Sequence, residues 1–538
     1  MMLRLVVILI LAAAISLQAQ VSYDRVLNGV DREPHNWLSY SGTPKNQRFS
    51  PLTQITATNV KNLQQAWVWQ ARSLEKFQAT PLVVDGVMYT VEAPNNVVAL
   101  DAATGRPYWQ FNYTPAPEAR ACCGRVNRGV AILGNTLYVG THDAHLIAID
   151  AKTGQQIWKS QVAVAKSGYS ITHNPTIVKD KVIVGTGGGD GPIRGYIAAF
   201  DAKTGVEVWR FYTIPGPGEP GNETWSGESW KVGGVGVWNA GGDDPETNLV
   251  FFGTGNPAPD WDGSTRPGDN LYSDSVVALD ADTGKLKWHY QFTPHDELDY
   301  DSTQVPVLAD IQWQGRARKV MLWANRNGVM YVLDRTTGEF LKGKPYVKTN
   351  WLDGFDAKGR PNRVKFPTKE GTAVYPHVHG GTNWAPPSFS PRTGLFYVAT
   401  WENSGSFAVE GQFPRAIPGP NTRQTTMGAT NLVPFYNDPA SGEAFGVVRA
   451  YDPQTLDQKW EFKLGDITWG GTMVTAGDVV FSGGRDGYFV ALDARTGALL
   501  WKANVGGQIN AAAISYAVNG KQYVAINAGS SLFAYALP

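Results

Sequence analysis

The chain has only two cysteines, and they are adjacent: Cys122 and Cys123, in Ala121-Cys-Cys-Gly-Arg-Val-Asn-Arg128. A disulfide normally spans Cα atoms about 4.4–6.8 Å apart, whereas neighbours sit about 3.8 Å apart across a trans peptide and about 2.9 Å across a cis one. A bond between these two would close a strained ring, which belongs with labile or functional disulfides rather than with structural staples. On spacing alone, a reduced pair packed as small hydrophobes is an equal alternative.

The N-terminus bears on that choice. Met1-Met-Leu-Arg4, an apolar run from Leu5 to Leu17 and small or polar residues around Ala19-Gln20 follow the order of a secretory signal. The run is short for a membrane span. Residues 1–19 are therefore expected to be a signal peptide and residues 20–538 a single domain, with an uncut anchor as the alternative because Leu17 is large for its position before the cut. Export into an oxidising compartment favours the vicinal disulfide.

Of the 538 residues, 12% are aromatic and 17% charged, with 59 glycines and 33 prolines, a composition that suits one large β structure rich in turns. The formal net charge is zero and no Lys/Arg run stands out, which argues against nucleic acid or an anionic membrane as principal partner. No second apolar stretch reaches membrane-spanning length, so an integral membrane protein is not expected. No Cys-x-x-Cys-His occurs, so no covalent c-type haem is expected on this chain.

A repeat organises what must position any site. Ala99-Leu-Asp-Ala-Ala-Thr-Gly-Arg-Pro-Tyr-Trp109 recurs as Ala148-Ile-Asp-Ala-Lys-Thr-Gly-Gln-Gln-Ile-Trp158 and as Ala199-Phe-Asp-Ala-Lys-Thr-Gly-Val-Glu-Val-Trp209, and further copies end at Trp288, Trp460 and Trp501. The copy at Val332 to Gly338 lacks the tryptophan, and the copy before Trp460 has Leu456 in place of glycine. Alternating residues such as Val139, Leu146, Ala148 and Asp150 mark strands, and Asp-x-x-Thr-Gly is a tight turn with glycine at positive φ. The tryptophan four residues later is expected to cover the next blade. Seven such turns, plus the N-terminal segment ending at Trp67, predict an all-β fold, an eight-bladed propeller whose last blade is completed by a strand near Leu532 to Leu537. Seven blades is the nearest alternative, because the interval from Asp334 to Asp452 could conceal or replace one.

Several segments are unlike the blade repeat: Gly185-Thr-Gly-Gly-Gly-Asp190-Gly-Pro-Ile-Arg194, Trp225 to Trp238, Gly253-Thr-Gly-Asn256-Pro-Ala-Pro, Thr293-Pro-His-Asp-Glu-Leu-Asp299-Tyr-Asp301, Asn325-Arg326-Asn-Gly328 and His379-Gly-Gly-Thr-Asn383-Trp384. Taken singly, an arginine beside Asn-Gly reads as a solvated turn, an aspartate as a strand cap, and most tryptophans as blade packing. Together with Cys122-Cys123, they resemble the quinoprotein alcohol dehydrogenases, periplasmic enzymes that use pyrroloquinoline quinone and include the methanol dehydrogenase large subunit. The resemblance runs from about Arg32 to the C-terminus.

The resemblance implies oxidation of primary alcohols to aldehydes, with electrons passed to a soluble cytochrome c. It implies a quinone between the Cys122-Cys123 ring and Trp238, held by Gln78, Arg128, Thr172, Asn383 and backbone near Gly188 and Gly189, with Trp469 and Gly470 completing the cavity. Arg326 would donate to the quinone oxygens. Asp190, Asn256 and Asp299 would ligate a metal, and Asp299 would be the catalytic base. Such a set of hard oxygen donors suits calcium or a similar cation rather than zinc or copper. Asp301 adds a carboxylate that accompanies lanthanide dependence, so a lanthanide(III) ion is favoured, with Ca2+ as the alternative. Two positions depart from the family pattern: Gln78 stands where an acidic residue is common, and Asp190 where glutamate is typical. The other readings are a cofactor-free envelope scaffold and a polyol or sugar dehydrogenase of the same type. The preferred alcohol stays open, as does the oligomeric state, for which a homodimer is one option.

Overall fold

The computed structural model describes residues 21–119, 121–411, 423–427, 431–437 and 444–538. The expected signal segment lies outside them. From the N-terminal side, a short helix, α1 (Tyr23–Arg32), is capped by Ser22, whose hydroxyl accepts from the Arg25 N–H.

Eight blades of four antiparallel strands then follow one another, the seventh extended by the parallel strand Phe49–Ser50, and a separate four-stranded sheet is inserted around blade 6. Seven take their four strands in sequence order, blades 1 to 7 at residues 82–111, 131–161, 176–212, 242–291, 307–345, 388–463 and 473–504, and only blade 6 is interrupted, by strands of the inserted sheet between its second and third strands. Blade 8 joins the two ends of the chain, with Gln64–Gln70 antiparallel to Ser531–Ala536 and Trp69 opposite Leu532. This closure ties early residues to late ones, and the expected eight-bladed propeller is borne out. The long Asp334 to Asp452 interval contains all of blade 6 up to its third strand, Phe445–Tyr451, and also carries small hairpins such as Leu352–Phe355 with Pro361–Arg363.

The repeated turn has one chemistry throughout. Asp101 Oδ1 accepts the N–H groups of Ala103 and Thr104 at 2.9 and 3.0 Å, and Gly105 turns the chain at φ +74°. The tryptophan of the preceding blade lies on that glycine: the Trp67 indole donates to Ala102 O at 3.1 Å, and a Cβ on Gly105 would come within 2.6 Å of its ring. Trp109 on Ala151, Trp158 on Ala202, Trp209 on Ala281 and Trp460 on Ala494 repeat the contact at 3.1–3.3 Å.

The two departures from the repeat are partners. Blade 5 has Lys342 where the others carry tryptophan, and the next turn, in blade 6, is the one with Leu456 in place of glycine. With no indole to receive, buried Leu456 takes the left-handed conformation at φ +58°, and Lys342 Nζ donates to Gln454 O across the same junction.

Strand direction places the site. Each sheet is antiparallel, so the connections between blades and those between the second and third strands of a blade fall at one end of the propeller. The Asp-x-x-Thr-Gly turns join third and fourth strands and fall at the other end. Every segment that departed from the repeat belongs to the first set of connections.

Gly284 has φ +68° and faces the Trp209 ring at 2.5 Å from a built Cβ. Gly284→Ala is expected to cost about 1–2 kcal/mol for the left-handed backbone alone, with the displaced indole adding to it. Thermal unfolding followed by circular dichroism should show a lowered midpoint, and an unchanged midpoint would contradict the docking role.

Candidate active site

A cavity of about 290 Å³ opens among these connections. It is lined by Gln78 ahead of blade 1, by Cys122, Cys123 and Arg128 between blades 1 and 2, and by Thr172 between blades 2 and 3. Gly188, Gly189 and Asp190 enter from within blade 3, Trp238 from between blades 3 and 4, and Asn256 from within blade 4. Asp299 and Asp301 come from between blades 4 and 5, Arg326 from within blade 5, Asn383 from before blade 6 and Trp469 from before blade 7. Fifteen of the sixteen residues singled out in the sequence therefore line one space. Gly470 does not. Its N–H donates to Thr468 Oγ1 at 3.0 Å, and a Cβ there would meet Gly483 O at 2.6 Å, so it packs behind Trp469.

Cys122 and Cys123 are disulfide-bonded, and both are exposed at the cavity. Close backbone approach explains two glycines nearby. Gly188 has φ +107°, and a Cβ on it would lie 2.2 Å from Gly168 O, while a Cβ on Gly255 would lie 2.4 Å from Asp301 Oδ1.

The electrostatics centre on Arg326. Its guanidinium donates to Asp299 Oδ2 at 2.8 Å, to Asp301 Oδ2, and through Nε to Val378 O at 2.7 Å. Three of its five N–H groups are thus engaged. Burial works against the Arg326 charge, but Asp299 and Asp301 outweigh it and hold the group above its ordinary value. Asp301 Oδ1 accepts from the Trp238 indole at 3.2 Å and from the Asn256 N–H at 3.0 Å. Asp299, at φ +56°, keeps its other oxygen, Oδ1, buried with no protein partner.

The remaining charge on the Arg326 side of the cavity is negative. Asp190 and Asp260 line the same cavity, and Asp260 Oδ1 accepts from Asn256 Nδ2 at 2.7 Å. Removal from bulk water, and then Asp301, push the Asp190 carboxyl up to about 6, although the residue has an open face on the cavity. Burial also raises Asp260 and Asp299 well above the carboxylate range, with neighbouring carboxylates adding to the effect. Four carboxylates with one guanidinium, and a buried carboxylate oxygen left over, are a donor set that fits a hard multivalent cation.

The opposite wall is cationic and aromatic. Arg128 donates to Thr172 Oγ1 at 3.2 Å and to Trp238 O at 3.1 Å, and its charge lies 5.0 Å from the Trp238 ring and 5.6 Å from the Trp384 ring. Burial pushes it down to about 10, and its Nε is buried without a partner, as is Gln78 Oε1. Trp384 stacks on Trp469 at 4.6 Å and 9°. This wall fits a flat ligand bearing carboxylates and carbonyls, which an unspent arginine N–H would meet.

Sequence reasoning missed Lys76, Asp260, Trp261, His379 and Trp384, all of which line the cavity. Trp384 and His379 stood inside a recognised segment, and Asp260 one residue beyond another. Their identities carried no signal apart from that proximity.

Comparison with known proteins agrees with the cavity. The family model for the PQQ-type glucose/ethanol/alcohol dehydrogenase beta-propeller domain matches residues 37–343 and 442–524. A quinohemoprotein alcohol dehydrogenase, ADH IIB, of Pseudomonas putida is 40% identical over 527 residues, covering 94% of this chain and 75% of that one. The lanthanide-dependent methanol dehydrogenase of Methylacidiphilum fumariolicum is 36% identical over 534 residues, covering 93% and 85%. The solved structure of a europium-containing methanol dehydrogenase superposes with a TM-score of 0.86 at 32% identity, covering 95% of this chain and 100% of that one. With its eight blades and its acidic, aromatic cavity, this chain belongs to the quinoprotein alcohol dehydrogenases, which oxidise alcohols with pyrroloquinoline quinone.

Proposed function

We propose that the protein is a periplasmic dehydrogenase of primary alcohols that passes its electrons to a soluble cytochrome c. Asp190, Asn256, Asp299 and Asp301 would hold a metal ion beside the quinone. The observation that carries this reading is the pairing of a buried, partnerless Asp299 Oδ1 with an excess of carboxylates over cationic groups in the same cavity.

When bound, the quinone supplies an electrophilic carbonyl that takes up hydride, a chemistry no side chain here provides. The chain's own residues do the rest. Asp299, which lines the cavity, accepts the alcohol proton. A cation beside its partnerless Oδ1 would keep the carboxylate ionised against the upward push of burial. Arg326, pinned at three N–H groups, has the remaining two for oxygen charge that grows during reaction. Arg128, Thr172, Asn383, Gln78 and backbone at Gly188 and Gly189 would grip the cofactor's polar rim, and Trp238, Trp469 and the disulfide its faces.

A trivalent ion is the favoured metal. Three carboxylates, Asp190, Asp299 and Asp301, crowd one site, and the repulsion among them is offset better by a lanthanide than by calcium. The presence of a lanthanide-dependent enzyme and a europium-containing enzyme among the relatives supports the same reading. Among the described residues no helix is long and apolar enough to cross a membrane. The signal-like N-terminus supports export.

Asp299→Asn should leave the propeller folded and reduce dye-linked turnover of a saturating alcohol by about 10²- to 10⁴-fold, with weaker metal binding adding to the loss. A variant saturated with metal and quinone that stays within a few-fold of the parent would remove Asp299 as base. Metal choice is tested separately by reconstituting metal-free protein with the quinone plus lanthanum or calcium. The parent should gain activity mainly with lanthanum, and Asp301→Ala should shift the preference toward calcium. Full activity with calcium and no gain from lanthanum would overturn the trivalent assignment.

A further inference from the structure

We infer that Asp260 is a positioning and charge-selecting residue of the metal centre. The inference rests on the metal-site reading above and extends it to a residue outside the proposed ligand set.

Asp260 and Asn256 leave the same connection of blade 4, four residues apart, and both line the cavity. Asp260 Oδ1 takes the Nδ2 end of the Asn256 amide, at 2.7 Å. Ionised beside a cation, Asp260 can only accept hydrogen bonds, and this fixes which end of the amide is spent. The backbone N–H of Asn256 is fixed as well, donating to Asp301 Oδ1 at 3.0 Å. With both nitrogens committed, Asn256 has its carbonyl oxygen left to offer a cation. Partners of this kind, one bond behind a ligand, orient it and tune what it binds.

Asp260 also changes the charge count. It is half-buried, close enough that Asp190 and Asp301 are the leading charges acting on it. The single guanidinium at the centre, Arg326, is already engaged by Asp299 and Asp301 and makes no contact with Asp260. With a cation bound, Asp260 adds a fourth negative charge that, among the described residues, no arginine or lysine cancels by contact. An extra negative charge favours a trivalent ion over a divalent one by the ratio of their charges, so it acts on selectivity as well as affinity. The partnerless, buried Asp299 Oδ1 is an independent observation that points to a cation at this cavity.

Two substitutions separate the two effects. Asp260→Asn keeps an oxygen that can accept from Asn256 but removes the charge, whereas Asp260→Ala removes both. Quinone-loaded, metal-free protein is titrated with terbium, whose luminescence is read after excitation of the cavity tryptophans, and calcium is measured by competition. Thermal midpoints confirm that each variant is folded. In Asp260→Asn, terbium affinity should fall about tenfold more than calcium affinity. In Asp260→Ala, affinity for both ions should fall further, to a total of about 10- to 100-fold for terbium. If both variants bind both ions within twofold of the parent, or if Asp260→Asn loses the two ions equally, the role of Asp260 is overturned while the metal centre stands. A parent protein that binds neither ion would remove the metal-centre reading itself.

Discussion

One guanidinium among four carboxylates is the constraint on which the rest of the cavity depends. Arg326 satisfies one oxygen each of Asp299 and Asp301, and the Trp238 indole and Asn256 N–H take another oxygen of Asp301. Among the described residues, Asp190, Asp260 and the second oxygen of Asp299 are left without a cationic side chain in contact. Two like charges about 4 Å apart cost on the order of 4 kcal/mol at an effective dielectric of about 20. Without further positive charge the cluster relieves itself by holding protons, and the raised Asp190, Asp260 and Asp299 express that pressure. A bound cation relieves it more completely and leaves Asp299 ionised for proton transfer.

The propeller makes such a cluster tolerable. The four acidic residues are delivered by three connections at one end of the fold: Asp190 from within blade 3, Asp260 from within blade 4, and Asp299 and Asp301 from between blades 4 and 5. The opposing charges are thereby held by separate sheets. Those sheets are locked to one another by the tryptophans that dock on the next turn and by the N-terminal strand that closes blade 8. The stiffness of the far end therefore supports the strained charge distribution at the near end. Where the tryptophan lock is missing, between blades 5 and 6, buried Leu456 fills the junction, and the hairpins inserted after blade 5 lead to Asn383 and Trp384.

The blade count was legible because the Asp-x-x-Thr-Gly turn repeats a local physical solution, an aspartate capping its own turn and a glycine receiving an indole. Closure was legible from the strand-like residues at the C-terminus. The site was legible as segments, since each departure from the repeat marked a connection with work other than packing, but less so as individual residues. Gly470 lay inside a matching segment, yet packs against Gly483 instead of the cavity. Asp260 escaped notice because nothing in its neighbours distinguishes it from a surface aspartate. Its role emerges only when the fold sets it against Asn256 and beside Asp190. His379, buried with Nε2 unpartnered and packed edge-on to Trp469, was equally silent in the sequence.

The central claim is that this cavity seats a multivalent cation against Asp299. Crystals of the quinone-loaded protein grown with a light lanthanide, and measured at that element's absorption edge, test it most directly. The account predicts one strong anomalous peak in the cavity, within about 2.3–2.6 Å of Asp299 Oδ1 and close to Asn256 Oδ1. A cavity without a peak, or a peak only at surface carboxylates such as Glu33 and Asp85, would contradict it.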